Sequence, residues 1–92
     1  MRRACARHIL VKTKAEAIEL KQQLAKGADF GQLAKRHSLC PSKANGGSLG
    51  EFNRGDMAKA FDDAVFKGPL LQIQGPVRTR FGYHLIETIY RS

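Results

Sequence analysis

Two alternating apolar segments that meet at a single glycine constrain the fold more than any other feature of this sequence. Residues 77–81 (VRTRF) and 83–90 (YHLIETIY) alternate as strands do, and Gly82 between them suits a tight antiparallel connection. The chain is therefore predicted to end in a β-hairpin. A third strand-like run, residues 4–11 (ACARHILV), lies near the start.

Helix signals follow directly after the first predicted strand. Thr13 and Glu16 form a capping box, which predicts a helix that ends at residues 26–27, a lysine and a glycine. Asp29 is placed to cap a second helix, whose apolar residues recur at helical spacing as far as His37. The first half of the chain is therefore mainly helical.

The second half combines a loop, a strand and another helix. Residues 38–47 are rich in turn formers, although one helical turn is allowed after Pro41. Residues 48–52 alternate as a short strand. Asp56 is then predicted to cap a helix that stops at residues 68–69, a glycine and a proline, and the next glycine and proline, Gly75 and Pro76, are predicted to break the chain again.

The order of these elements predicts an α+β fold, in which about four helices wrap a four-stranded, mainly antiparallel sheet. Ninety-two residues can build one small core, so residues 1–92 are expected to form a single domain. Hydrophobic residues make up 42% of the chain and charged residues 26%, which excludes a disordered or fibrous protein. The narrow apolar stripes favour a monomer.

The N-terminus and the cysteines predict the cellular compartment of the protein. Residues 1–3 are basic at the second and third positions, but the apolar run that follows is short and interrupted by Arg7 and His8, unlike a secretory signal. No apolar run approaches membrane-spanning length. Cys5 and Cys40 have neither metal-ligand spacing nor the density of a disulfide framework, so reduced thiols in a cytoplasm are expected.

The formal charge of +8 is high for this length and could indicate a nucleic-acid partner. Residues 1–46 hold ten Lys or Arg against three Asp or Glu, whereas residues 47–92 hold six against five. Most of the excess falls on predicted helix faces and helix C-termini, where cations are usual. Nucleic acid is therefore not the partner that the sequence favours.

Four motifs, in order along the chain, resemble those of a known enzyme family. They are His-Ile-Leu-Val at residues 8–11, Gly-Gly-Ser-Leu-Gly-Glu-Phe at residues 46–52, the pair Met57 and Phe61, and Gly-Pro with a later Phe-Gly-Tyr-His within residues 75–84. Together they resemble the parvulin family of peptidyl-prolyl cis/trans isomerases, over nearly the whole chain. The resemblance implies an antiparallel sheet wrapped by helices, and rotation about X–Pro bonds as the reaction.

The resemblance also assigns eight residues to two parts of a site. It implies a proline pocket made by Leu49, Met57 and Phe61, with Phe81 at its wall. It implies a polar centre made by His8, Cys40, Thr79 and His84. It implies neither a cofactor nor a metal, and its expected partners are proline-containing polypeptides in unfolded or flexible segments rather than membranes.

Each of these residues also has a simpler interpretation. Met57 and Phe61, four residues apart on a predicted helix, would be core residues if taken alone. His8, Cys40 and His84 match no zinc signature, and the chain has no thiol-protease motif that would make Cys40 a nucleophile. The two imidazoles are expected to hydrogen-bond to each other and to the hydroxyl of Thr79, which gives them a mainly architectural role.

The connection between the first strand and the first helix predicts which residues the enzyme accepts before proline. Phosphorylation-directed parvulins carry a long basic loop there, whereas residues 12–14 pass straight from strand to capped helix. A minimal isomerase with broad X–Pro specificity, assisting the folding of cytoplasmic proteins, is therefore expected. Two alternatives remain open: a non-catalytic peptide-binding or chaperone module that uses the same groove, and a basic ribosome- or nucleic-acid-associated protein that uses residues 1–46.

Overall fold

The architecture of residues 2–92, which the computed structural model describes, is an antiparallel sheet with helices packed on its two faces. The strands, in the sheet order β2-β1-β4-β3, are β1 (Arg3–Val11), β2 (Ser48–Asn53), β3 (Gln74–Thr79) and β4 (Gly82–Arg91). The helices are α1 (Lys14–Ala25), α2 (Phe30–His37) and α3 (Lys59–Lys67), with a 3₁₀ helix at Pro41–Asn45. The predicted α+β fold and its four-stranded sheet are confirmed, and the 3₁₀ helix completes the four predicted helices.

Two of the three predicted helix caps are confirmed. The hydroxyl of Thr13 accepts the Glu16 N–H at 3.2 Å, and a carboxylate oxygen of Asp29 accepts the Gln32 N–H at 2.9 Å. Each bond satisfies a backbone donor that has no partner inside the helix. Within residues 2–92, no helix has the length and the apolar character needed to cross a membrane.

The core divides at the sheet, because adjacent residues of a strand point to opposite faces. Leu85 of β4 packs with Ile9 of β1 and with the buried side chains of α1 and α2. Its neighbour Ile86 packs on the other face with Ala6 and with Phe61, Val65 and Phe66 of α3. The even-numbered positions of β1, and those of β4 as far as Thr88, include His8 and His84 and therefore face α3.

The start of α3 differs from the prediction. The helix begins at Lys59, after Ala58, and no side chain caps it. The carboxylate of Asp56 instead accepts the Asn53 N–H at 2.9 Å, closing a tight turn at the end of β2. The prediction that Asp56 caps the helix is wrong, because this nearby backbone donor occupies its carboxylate. Met57 consequently lies in the loop before α3 and not on the helix.

The predicted chain break at Gly75 and Pro76 is also wrong, because both residues lie inside β3. This strand is at the edge of the sheet, where a proline without an N–H can be tolerated. Its pairing with β4 is irregular between Gln74 and Val77. A side chain at position 75, where φ is 120°, would also collide with the carbonyl oxygen of His84. Glycine is therefore required beside the strand that carries this histidine.

Candidate active site

A cavity of about 370 Å³ lies on the α3 face of the sheet, and all eight residues assigned from the sequence line it. Its lining comes from both central strands, residues 39–41 at the start of the 3₁₀ helix, β2, the region around the start of α3, the end of β3 and the β3–β4 turn. The lining residues are His8, Leu10, Leu39, Cys40, Pro41, Leu49, Met57, Ala58, Phe61, Thr79, Phe81 and His84. The structure thus brings the predicted polar centre and the predicted proline pocket into one cavity.

Three polar residues at the base of the cavity, His8, Thr79 and His84, form what we call the polar floor. His8 lies on β1 opposite Ile86, and His84 lies on β4 opposite Leu10, so the two imidazoles are diagonal neighbours on one sheet face. Their Nδ1 atoms are 3.0 Å apart, and Nε2 of His84 is 2.7 Å from Oγ1 of Thr79. The hydrogen bonds predicted among these three side chains are present.

Burial determines the charge of the two histidines, each of which is 4% exposed. Loss of hydration lowers the pKa of His84 from 6.5 to about 4. The same effect, followed by repulsion from His84, lowers the pKa of His8 to about 4. Both rings are therefore neutral at pH 7, which allows a single proton to lie between the two Nδ1 atoms.

The polar floor is connected to the β3–β4 turn through Thr79. Its hydroxyl oxygen accepts the N–H of Phe81 at 3.2 Å while it bonds to His84. At the other end of the chain of hydrogen bonds, Nε2 of His8 is buried and has no hydrogen-bond partner among residues 2–92. The hydrogen bond between Thr79 and His84 thus orients the imidazole pair, whereas no hydrogen bond within residues 2–92 fixes the Nε2 atom of His8.

The apolar side of the cavity is built on α3, β2 and the loop that joins them. We call Leu49, Met57 and Phe61 the apolar wall. The buried ring of Phe61 stands edge-on to both imidazoles, with centroid distances of 5.3 Å to His8 and 5.1 Å to His84. Phe61 therefore separates the polar floor from the core of the α3 face, and it keeps water away from the floor.

Cys40 lies at the rim, in a segment that a buried serine attaches to β1. The hydroxyl of Ser38 accepts the N–H of Leu10 at 3.1 Å and the N–H of Cys40 at 3.3 Å. The N–H of Leu39 donates to the carbonyl of Leu10 at 2.8 Å. The thiol of Cys40 makes no hydrogen bond to the part of the chain that the structure describes, so Cys40 lines the cavity without joining the network of the polar floor.

Four lining residues were not assigned from the sequence: Leu10, Leu39, Pro41 and Ala58. Leu10 could have been found, because strand alternation puts it on the same face as His8. Leu39 carried no such signal, since its place depends on the long-range bond to Leu10. Leu39 is 55% exposed and Phe81 is 59% exposed, so these two residues form an apolar mouth to the cavity.

The described residues contain no group of three or more His, Cys, Asp or Glu side chains that could hold a metal ion. The cavity instead offers an apolar space, a neutral hydrogen-bonded floor and one thiol. Such a site can hold an uncharged ring and exclude water from a neighbouring polar bond.

Comparison with known proteins gives the same interpretation. The family model for rotamases, described as the PPIC-type PPIase domain, matches residues 8–89. The foldase protein PrsA of Geobacillus sp. (strain WCH70) is 49% identical over 83 residues, which cover 89% of this chain and 30% of that protein. The crystal structure of PrsA from Bacillus anthracis superimposes with a TM-score of 0.96 at 40% identity, covering 99% of this chain and 42% of that one.

A solved structure of similar size also matches over its whole length. NmPin, the parvulin of Nitrosopumilus maritimus, superimposes with a TM-score of 0.86 at 36% identity, covering 98% of both chains. The sheet, the cavity and these matches agree, and the chain belongs to the PPIC-type peptidyl-prolyl isomerase family, the parvulins. The predicted family is confirmed. The chain spans 30% of the length of the Geobacillus foldase.

Proposed function

We propose that this domain catalyses cis/trans isomerisation of X–Pro bonds in unfolded or flexible polypeptide segments, and thereby assists folding. The observation that carries the proposal is the contact of one apolar ring, Phe61, with two neutral, hydrogen-bonded imidazoles in the same cavity. The cavity volume of about 370 Å³ can accommodate a prolyl ring together with part of the flanking chain.

The reaction needs no bond to be made or broken. Rotation about the X–Pro bond must overcome amide resonance, a barrier of about 18–20 kcal/mol. The uncatalysed exchange therefore takes on the order of tens to hundreds of seconds. A thousandfold to ten-thousandfold acceleration requires only about 4–5.5 kcal/mol of preferential stabilisation of the twisted amide.

An apolar cavity can supply this stabilisation because the twisted amide loses its zwitterionic resonance form and becomes less polar than the planar substrate. The apolar wall binds the prolyl ring and excludes water that would favour the planar form. Burial keeps His8 and His84 neutral, so no positive charge in the floor stabilises the polar planar amide. The hydroxyl of Thr79 and the imidazole of His84 hold the floor in one geometry.

Two-dimensional NMR exchange spectroscopy on a short X–Pro peptide tests this function. Cis and trans signals should exchange within seconds when a small amount of the protein is added. A peptide that binds in the cavity while exchanging at its uncatalysed rate would identify a non-catalytic peptide-binding module instead. The chaperone alternative has a structural relative: a solved structure from work that describes PEB4 and Cj1289 of Campylobacter jejuni as two SurA-like chaperones is 41% identical and covers 98% of this chain and 39% of that one.

We further propose that the domain has no preference for a phosphorylated residue before proline. Only Lys12 and Thr13 separate β1 from α1, and Thr13 is used as the helix cap. No arginine cluster that could form bidentate bonds to a phosphate fits in this connection. The test compares kcat/KM for phosphoserine-, glutamate- and leucine-proline peptides at about 0.15 M salt, where long-range attraction is screened. A hundredfold advantage of the phosphopeptide would overturn this proposal.

A monomer in the cytoplasm remains the proposed state of the protein. Both cysteines, Cys5 and Cys40, are free thiols, which supports a reducing compartment. The apolar faces of the three helices pack into the two core clusters, which supports a monomer. Sedimentation equilibrium tests the monomer, and fractionation of the source cells tests the compartment. A dimer, or recovery outside the cytoplasm, would overturn the corresponding proposal.

A further inference from the structure

The segment between β2 and α3, residues 54–58, supplies part of the cavity although it belongs to no helix or strand. Met57 and Ala58 line the cavity from this segment, which we call the β2–α3 loop. Only a few backbone hydrogen bonds fix its position, among them those from the Arg54 N–H to the carbonyl of Arg2 at 3.0 Å and from the Asp56 N–H to the carbonyl of Asn53 at 3.1 Å. The placement of Met57 therefore depends on contacts that other parts of the chain make with the loop.

Asp62, in the first turn of α3, makes such contacts at both ends of the loop. Its side chain is 8% exposed, and its Oδ1 atom accepts the Gly55 N–H at 2.9 Å. Its Oδ2 atom lies 3.3 Å from Nη1 of Arg54. The backbone N–H of Asp62 donates to the carbonyl of Ala58 at 2.8 Å. One residue thus connects the start and the end of the β2–α3 loop to the helix.

The neighbouring carboxylate, Asp63, contacts the same arginine without touching the rest of the loop. Its Oδ1 atom lies 3.1 Å from Nη2 of Arg54, and it also pairs with Lys59 and Lys67. The guanidinium of Arg54 lies 5.3 Å from the ring centroid of Phe66, a third contact. Arg54 therefore keeps two partners when Asp62 is removed, whereas the N–H of Gly55 loses its partner.

We propose that Asp62 is a positioning residue of the isomerase: it holds the β2–α3 loop so that Met57 stands beside Phe61 at the spacing a prolyl ring requires. Phe61 points into the cavity, and the next residue, Asp62, is buried against the loop. Asp62 does not line the cavity, so it acts only through Met57 and Ala58. This inference rests on the proposed function and adds a residue that the chemistry itself does not use.

Three variants separate this role from a general loss of stability. Asp62→Ala removes both side-chain contacts to the loop. Asp62→Asn keeps an oxygen that can accept the Gly55 N–H and removes only the charge beside Arg54. Asp63→Ala is the matched control, because it deletes a carboxylate from the same helical turn and from the same arginine but leaves Gly55 bound.

Asp62→Ala should raise KM for an X–Pro peptide by about fivefold and leave kcat within about twofold, because Phe61 and the polar floor stay in place. Asp62→Asn and Asp63→Ala should remain within about twofold of the wild type in both constants. The ¹³C–¹H signal of the Met57 methyl group should shift or broaden in Asp62→Ala alone. The ring signals of His8 and His84 should not move.

Two results would overturn the proposal. One is an Asp62→Ala variant, folded by circular dichroism, with unchanged KM and an unchanged Met57 methyl signal. The other is an equal rise of KM in Asp63→Ala, which would show that any charge loss in this turn has the effect. If Asp62→Ala does not fold, a fivefold rise of KM in Asp62→Asn would also contradict the proposal, since the acceptor for Gly55 is retained. If the wild type shows no isomerase activity, the proposed function fails, and the Met57 signal still tests the positioning role.

Discussion

The polar floor and the apolar wall of the cavity are supported in different ways. His8 and His84 lie on β1 and β4, the two central strands, each paired with neighbours on both sides. In the wall, by contrast, Met57 lies in the β2–α3 loop and Leu49 on the edge strand β2. The two imidazoles of the floor therefore belong to the most cooperative part of the fold, although Thr79 lies at the end of the edge strand β3, and much of the wall belongs to parts that open more easily.

This difference teaches what each part can contribute to catalysis. The floor must stay neutral and fixed, and a buried, hydrogen-bonded pair on adjacent strands achieves both. The wall must accept a prolyl ring with varied neighbours, which a loop and exposed mouth residues allow. Changes in the floor should therefore alter stability and pH dependence, whereas changes in the wall should alter activity on the substrate.

The largest expected effect is a loss of protein stability in acid, caused by protonation of the two histidines of the polar floor. Because the pKa values of His8 and His84 are lowered from 6.5 to about 4 on folding, the unfolded chain binds more protons between these values. The free energy of unfolding should therefore be highest above about pH 6.5 and fall by at least about 2 kcal/mol between pH 7 and pH 4.5. Urea unfolding at several pH values measures this fall.

His37→Asn supplies the control for the acid effect, since it removes an exposed imidazole at the end of α2 and should leave the pH profile unchanged. A free energy of unfolding that stays constant between pH 7 and pH 5 would show that the two floor histidines are not held neutral by burial.

The next largest effect should come from the wall. Phe61→Ala removes the ring that contacts both imidazoles and should lower kcat/KM on an X–Pro peptide by at least about tenfold, or about 1.4 kcal/mol. The loss has two causes, since the prolyl ring loses a contact and water reaches the twisted amide. A protease-coupled assay measures the loss. Full activity in a folded variant would show that Phe61 is not part of the substrate site.

A smaller effect should distinguish a coupled floor from two independent histidines. His8→Ala and His84→Ala each break the Nδ1–Nδ1 hydrogen bond, so their losses of activity should not add. The coupling energy of the double-mutant cycle should be on the order of 0.5–1 kcal/mol. Additive losses, with a coupling energy near zero, would show that the two rings do not act as a unit.

The smallest effect is expected at the rim. Cys40→Ser should retain kcat/KM within about threefold, because the reaction forms no covalent intermediate and the thiol makes no hydrogen bond to residues 2–92. Cys5→Ser, which removes the only other thiol, is the matched control. Mass spectrometry of the wild type with substrate should show no adduct, and a mass increase equal to one bound peptide would identify Cys40 as a nucleophile.

Local rules predict the strands that carry the floor, whereas the resemblance to the parvulins assigned His8, Thr79 and His84 to the site. Strand alternation and the single glycine at position 82 place His84 and Thr79 beside the turn, and two caps, Thr13 and Asp29, position the helices that cover the opposite face. The hydrogen bond between the two imidazoles follows once β1 and β4 pair with both rings on the same face of the sheet. These features depend on short segments whose periodicity can be read directly.

The wall was predicted less completely because long-range contacts determine it. Met57 was placed on a helix, but it lies in the β2–α3 loop, where the Asn53 N–H donates to Asp56 and the Gly55 N–H donates to Asp62. Leu39 was missed because a buried hydroxyl, that of Ser38, and the carbonyl of Leu10 determine where it lies. The sequence alone could identify wall residues by resemblance but not the contacts that position them.

The most direct test of the central claim is the rate of cis/trans exchange of one X–Pro peptide with and without the protein, measured by NMR at pH 7. The bound peptide should exchange about 10³ to 10⁴ times faster than the free peptide, whose exchange takes on the order of tens to hundreds of seconds. The peptide should also shift the ring signals of Phe61 when it binds. Binding with these shifts, but with exchange at the uncatalysed rate, would contradict the claim that this cavity isomerises prolyl bonds.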